Sequence, residues 1–102
     1  MQGYTKVAAT ADIPVGDRKR IILEHNRITI FNIEGRYYAI DDVCPHKKTA
    51  PLVRGSLDGL CIKCPNHGYG FDLKTGECDK GAVFNTKVYP VKVEGGDISV
   101  LL

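Results

Sequence analysis

The sequence predicts an all-β fold of short antiparallel strands, on three observations. Apolar residues nowhere hold a 3.6-residue period for three turns, extended segments recur between glycine and polar breaks, and glycine supplies 11 of 102 residues, above the usual ~7%. A chain of this length buries about two-thirds of the surface it exposes when unfolded, enough for one core. No linker divides it, so residues 1–102 are expected to form a single domain. Hydrophobic residues make up 43% and charged residues 25%, which excludes disordered, collagen-like and coiled-coil classes.

The first elements read as a meander. Residues 18–23 and 28–33 flank the polar break Glu24-His25-Asn26-Arg27, where Asn suits a left-handed turn and His25 is a solvated turn residue. Glu34-Gly35-Arg36 turns the chain again, and residues 37–40 supply the third strand. Phe31, Tyr37 and Tyr38 fall in these strands, where aromatic side chains pack. At the far end, residues 87–93 and 98–102 surround Glu94-Gly95-Gly96-Asp97, the clearest hairpin signal in the chain. Pro90 cannot donate to a ladder and so places its strand at a sheet edge. Between positions 41 and 85 the alternation weakens while Gly, Pro, Cys and His accumulate. Residues 60–63, 69–73 and 77–78 are short strand candidates there, with Lys74-Thr75-Gly76 as a tight turn. The middle of the chain is therefore an excursion from a β framework that both termini help to build.

A net charge of +2 is too small for the one-signed surface that nonspecific nucleic-acid binding requires. No apolar run approaches the ~18 residues that cross a bilayer, and no signal-peptide h-region follows the start, so the expectation is a cytoplasmic protein with neither nucleic-acid nor membrane partner. In a reducing compartment four cysteines point to metal ligands or buried thiols rather than two disulfides.

Their spacing carries the chemistry. Cys44-Pro45-His46 sets one sulfur and one nitrogen donor two residues apart, and Cys64-Pro65-Asn66-His67 repeats the pair three residues apart after 17 intervening residues. A short loop can turn both side chains toward one point, and a proline inside it lowers the entropy lost in fixing the loop. Two such loops can clamp a metal centre. The pattern C-x-H-x17-C-x2-H resembles the Rieske signature, in which two His replace two Cys on one iron of a [2Fe-2S] cluster. The continuation Gly68-Tyr69-Gly70-Phe71-Asp72-Leu73-Lys74-Thr75-Gly76 looks like the second loop of that family and the hairpin after it.

The resemblance covers nearly the whole chain and implies a stand-alone Rieske-type ferredoxin or the small Rieske subunit of a nitrite reductase. It implies an antiparallel β-sandwich of about three small sheets with the cluster at the tip of two loops, Cys44 and Cys64 holding one iron and His46 and His67 the other. It also implies partners: a flavin-dependent NAD(P)H reductase and a terminal oxygenase, or the large subunit of nitrite reductase, with a monomer expected in isolation. No catalytic residue is expected. Thiolates hold ferric iron strongly, while neutral imidazoles remove negative charge and raise the potential relative to four-cysteine clusters. With every coordination site filled, the chemistry expected is outer-sphere, one-electron transfer.

Departures from the respiratory branch of the family sharpen this. That branch carries an extra cysteine in each loop and bridges them; the matching positions here are Thr49 and Asn66, which cannot form a bridge. Hydroxyls that donate to cluster sulfurs in that branch align with Tyr69 and Phe71, and Phe71 has no donor. Fewer donors leave reduced charge less stabilised, so the expected potential lies toward the lower end of about −150 to +300 mV. The covering loop before the last hairpin often contains proline, whereas Asp79-Lys80-Gly81-Ala82-Val83-Phe84-Asn85 has none.

Alternatives remain open at this stage. A zinc-binding interaction module is the remote one, because Cys61-Ile62-Lys63-Cys64 offers a C-x2-C pair. Otherwise Cys61 and Cys78 are packing or incidental thiols. Lys47, Lys48, Arg54 and Lys63 form either a solvated face or a basic docking tip. Gly68 and Gly70 serve either turns or a close approach of backbone N–H groups to the cluster sulfides.

Overall fold

The computed structural model describes residues 3–23, 26–42, 55–64, 69–81 and 85–101. They form ten strands: β1 Tyr4–Ala9, β2 Arg18–Ile22, β3 Arg27–Ile33, β4 Arg36–Asp41, β5 Ser56–Asp58, β6 Cys61–Lys63, β7 Gly70–Asp72, β8 Val88–Tyr89, β9 Val91–Glu94 and β10 Asp97–Leu101. Every pairing among them is antiparallel. The strands build three small sheets, ordered β1-β10-β9, β2-β3-β4-β8 and β5-β6-β7, as the family resemblance implies. A 3-10 turn over Thr10–Asp12 is the helical piece among the described residues.

The second sheet is the middle layer, and strand periodicity shows why. Ile28 and Ile30 point to one face of β3 and Phe31 to the other. The first pair joins a core with Ala8, Ile21, Ala39, Tyr89, Ile98 and Val100, against the sheet made by the two ends of the chain. Phe31 joins a second core with Ile40, Ile62, Cys64, Phe71 and Leu73, against the sheet made by the middle of the chain. Neighbouring β4 repeats the division, with Tyr37 and Ala39 on the first core and Tyr38 and Ile40 on the second. Burying a side chain the size of Phe31 completely contributes about 2–3 kcal/mol, so both interfaces are held by side chains from the same two strands.

The meander over β2, β3 and β4 follows the sequence reading, its second turn being the two residues Glu34 and Gly35 at φ 54° and 89°. The hairpin β9–β10 also follows it. Residues 87–93 differ: they form two strands, not one. Pro90 stands between β8, the edge of the middle sheet, and β9, the edge of the first sheet, and the strand changes layer at the residue that cannot continue a ladder. β1 and β5 were not anticipated. β5 is the short run Ser-Leu-Asp, and β1, Tyr-Thr-Lys-Val-Ala-Ala, ends in two alanines and lies next to no turn signal that would mark it as a strand.

Tyr89 pins this change of layer. Its side chain is 5% exposed, and the phenol donates to Asp41 Oδ1 at 2.7 Å. Burial first, and then the Asp41 acceptor, push its pKa above the ordinary phenol value. The folded chain thus favours the neutral phenol, so this contribution is complete below the unfolded pKa of about 10 and is lost as pH rises through the higher folded value. Tyr89→Phe is expected to lower unfolding free energy by about 1–2 kcal/mol at neutral pH and to remove part of the alkaline fall in stability, as read by urea unfolding at neutral pH and above pH ~10.

Candidate metal centre

The third sheet presents one end to three chain segments. β5 and β6 pair with Ser56 opposite Lys63, so Gly55 and Cys64 lie side by side where 43–54 returns and where the next loop leaves. Gly55 is forced here: a Cβ would stand 2.1 Å from the Lys63 carbonyl oxygen. On the far side of β6, the Cys64 N–H donates to the Tyr69 carbonyl at 2.8 Å. That bond brings residues 64 and 69 together at the head of the β6–β7 hairpin.

The departure point of 43–54 is equally held. The Asp41 N–H donates to Lys87 O and the Asp42 N–H to Arg27 O, each at 2.9 Å. The Asp42 side chain is wholly buried, accepts the Thr29 hydroxyl at 2.6 Å and forms an ion pair with Arg20 at 2.6 Å. A buried carboxylate is costly unless it is paired and hydrogen-bonded, so these contacts hold the backbone two residues before Cys44.

Of the four expected ligands, Cys64 lies within the described residues; Cys44, His46 and His67 lie outside them. Cys64 is in no disulfide and is 3% exposed, in the core behind the end of β6. A thiol shielded from water at the closure of a short loop fits a ligand of an iron–sulfur centre, since burial limits solvent access to the metal. Thr49, Asn66, Gly68, His25, Lys47, Lys48 and Arg54 also lie outside the described residues. Lys63 is exposed beside Cys64.

Three neighbouring residues acquire roles. Phe71, without a donor, is fully buried and forms part of the second core with Ile62. The Gly70 N–H donates to Asp79 Oδ1 at 3.0 Å, and the Asp79 N–H donates to Gly70 O at 2.9 Å. Its amide is therefore committed to a carboxylate rather than to a sulfide, and a Cβ at Gly70 would lie 2.8 Å from both Asp79 and Cys61 Sγ. The sequence reading considered the segment from Asp79 only for its missing proline; an Asp following the Cys78 bridge to Phe71 carried no signal by itself.

Alternation along β6 sets Cys61 on the face opposite Ile62 and Cys64, so the C-x2-C pair does not converge as a zinc ribbon requires. Cys61 instead lines a cavity of about 400 Å³ with Gly70, Asp72, Glu77, Cys78 and Asp79. No group of three metal-binding side chains occurs among the described residues. Cys78 is buried, its sulfur accepting the Lys80 N–H at 3.4 Å.

Fold and site together define a small all-β protein whose third sheet sets Gly55 beside the buried Cys64 at one end. The model of the Rieske-like [2Fe-2S] domain matches residues 3–101. The ferredoxin component of the naphthalene 1,2-dioxygenase system of Pseudomonas aeruginosa is 37% identical over 98 residues, covering 95% of this chain and 93% of that protein. A chain of the complex of reduced oxygenase and oxidized ferredoxin in carbazole 1,9a-dioxygenase is 30% identical with a TM-score of 0.87, covering 99% of this chain and 94% of its own. A protein of Mycobacterium tuberculosis described as an NADH-dependent nitrite reductase small subunit shares the fold, with a TM-score of 0.83, 24% identity and coverage of 98% and 95%. The chain belongs to the Rieske-like [2Fe-2S] family, and its cofactor is one [2Fe-2S] cluster. Its role is electron transfer rather than catalysis, as in the ferredoxin components it matches along nearly their whole length.

Burial first, and then the Asp79 carboxylate, push the Cys61 thiol above its ordinary pKa, opposed by Lys63. Only the thiolate is nucleophilic, so Cys61 is expected to alkylate more slowly than a free thiol of pKa about 8.5 at neutral pH. Asp79→Asn keeps an oxygen for Gly70 but removes the charge, and should speed the reaction at pH ~8. Peptide mapping after timed iodoacetamide treatment of the holoprotein reads both; labelling of Cys61 as fast as free cysteine would contradict the assignment.

Proposed function

We propose that the chain is a soluble one-electron carrier that takes electrons from an NAD(P)H-dependent flavin reductase and delivers them to a terminal oxygenase. Cys44 and Cys64 hold one iron of the [2Fe-2S] cluster and His46 and His67 the other. The observation that carries the reading is the near end-to-end match to dioxygenase ferredoxins, one of them in a complex with its oxygenase. The buried Cys64 at the closure of its loop supports the ligand set. When bound, the cluster supplies a reversible one-electron couple with no open coordination site.

The protein's contribution is to hold the donors and set the surrounding charge. Phe71 offers no hydrogen bond and the Gly70 N–H is spent on Asp79, so these two positions add no donor toward a sulfide. Both features support a potential in the lower part of the Rieske range. A second reading, the small subunit of an assimilatory nitrite reductase, is favoured by the shared fold of the Mycobacterium tuberculosis protein. Purification separates them: a carrier is recovered alone as a reducible monomer, whereas a subunit accompanies a large flavin- and siroheme-bearing chain.

Anaerobically purified protein is expected to contain two irons and two acid-labile sulfides and to give, after dithionite, a rhombic EPR signal with average g below the free-electron value. Cyclic voltammetry near neutral pH should place the couple below about +150 mV. One zinc with no sulfide would instead establish the interaction-module alternative. If Lys47, Lys48, Arg54 and Lys63 form a basic docking tip rather than a solvated face, they steer an acidic partner surface. Reduction by the cognate reductase in stopped flow should then slow as ionic strength rises, and a salt-independent rate would refute that docking mode.

A further inference from the structure

We propose that edge strand β2 braces the ligand-bearing segment 43–54 at both ends, Arg20 holding the departing end through Asp42 and Arg18 the returning end through Gly55. Arg18 and Arg20 are positioning residues for the metal centre. The proposal rests on the reading above only in taking Cys44 and His46 as ligands.

Arg18 pairs with Phe31 and Arg20 with Thr29 in the β2–β3 register. Two residues apart, the arginines project from the same face of the strand, the one that carries Phe31 into the second core. Lys19 between them projects the other way and meets Asp12 at 4.0 Å. On the shared face, Arg20 Nε stands 2.6 Å from Asp42 Oδ2 while Thr29 donates to Oδ1. Arg18 donates through Nη1 to the Gly55 carbonyl at 2.7 Å, with its guanidinium 5.4 Å over the Phe31 ring.

These contacts differ from the exposed ion pairs of the chain, such as Lys6 with Asp97. Asp42 is wholly buried, so losing Arg20 would take a charge partner from a carboxylate held away from water. Arg18 is stacked, and a planar fork fixed by a ring directs its hydrogen bond better than a free side chain can. One rigid strand thus sets the positions of residues 42 and 55, and neither of these two residues can part from it without breaking a charge-assisted bond. Gly55 also adjoins Lys63, so the same brace sets where 43–54 returns relative to Cys64.

Deuterium exchange of the holoprotein, read on peptides spanning 41–56, tests this with Arg18→Met and Arg20→Met, which keep apolar stems, and Arg18→Lys and Arg20→Lys, which keep the charge. The Met variants should exchange about tenfold faster in those peptides, the factor expected for losing one bond to a charged group from a local opening. Release of iron to a chelator should accelerate in step, and the EPR lines of the reduced protein should broaden. Peptides from β1 and β10 should stay unchanged, and the Lys variants should recover part of each effect. Unchanged exchange across 41–56, a rise shared equally by β1 and β10, or an unaltered line shape in folded Met variants would overturn the proposal. Absence of iron and sulfide from the wild-type protein would instead overturn the ligand assignment, and the exchange comparison would still decide the brace.

Discussion

Strand β3 is buried on both faces, and the position of each other layer follows from that constraint. A strand with Ile28 and Ile30 on one side and Phe31 on the other cannot leave either side to water, so a sheet must cover each. One cover is woven from the two ends of the chain as β1, β10 and β9. The other is woven from its middle as β5, β6 and β7. The end that carries Cys64 belongs to the second cover and is held in place through Phe31, Ile62 and Phe71 rather than through its own few ladder bonds. Strands of three residues are too short to be stable by themselves, and packing on a rigid middle layer is what orders them.

Polar groups at the rim of this packing divide the remaining work. The buried Asp42 carboxylate, hydrogen-bonded by the Thr29 hydroxyl and paired with the partly exposed Arg20, fixes the place where 43–54 leaves. Asp41 and Tyr89 do the same one residue earlier against β8. At the third sheet, Asp79 takes the Gly70 amide and, after burial, adds to the raised pKa of the Cys61 thiol beside it. Both devices place a carboxylate near the loop end, but only Asp42 has its charge compensated inside the protein, while Asp79 faces solvent.

Local patterns made much of this legible in the sequence, and longer-range placement did not. The Glu34-Gly35 and Glu94-Gly95-Gly96-Asp97 turns declare hairpins because few residues tolerate the backbone they need. Phe31, Tyr37 and Tyr38 were readable as packing residues from strand position alone. The sheet switch at Pro90 was half legible: proline forbids a ladder bond, but which sheets lie on either side depends on β1 and β4, far away in sequence. Arg18 and Arg20 gave no signal at all, since a strand opening on three consecutive basic residues looks like a solvated edge until residues 42 and 55 are seen to meet it. Gly70 was ambiguous for the same reason, its partner Asp79 lying across a turn.

A carrier of single electrons benefits when its donors move little between oxidation states, because rearrangement of ligands and dipoles adds to the barrier for transfer. Donor loops whose ends are fixed to sheets meet that need better than loops anchored at one end, as sites mounted on rigid elements hold their geometry more closely. The arrangement around Gly55 and Cys64 achieves this with few residues. The return of one loop and the start of the other are adjacent in the β5–β6 register, so a single backbone pairing relates the two. A cluster held across that pairing would feel any slip between the loops as strain, and the close approach of Gly55 to the Lys63 carbonyl leaves little room for such a slip.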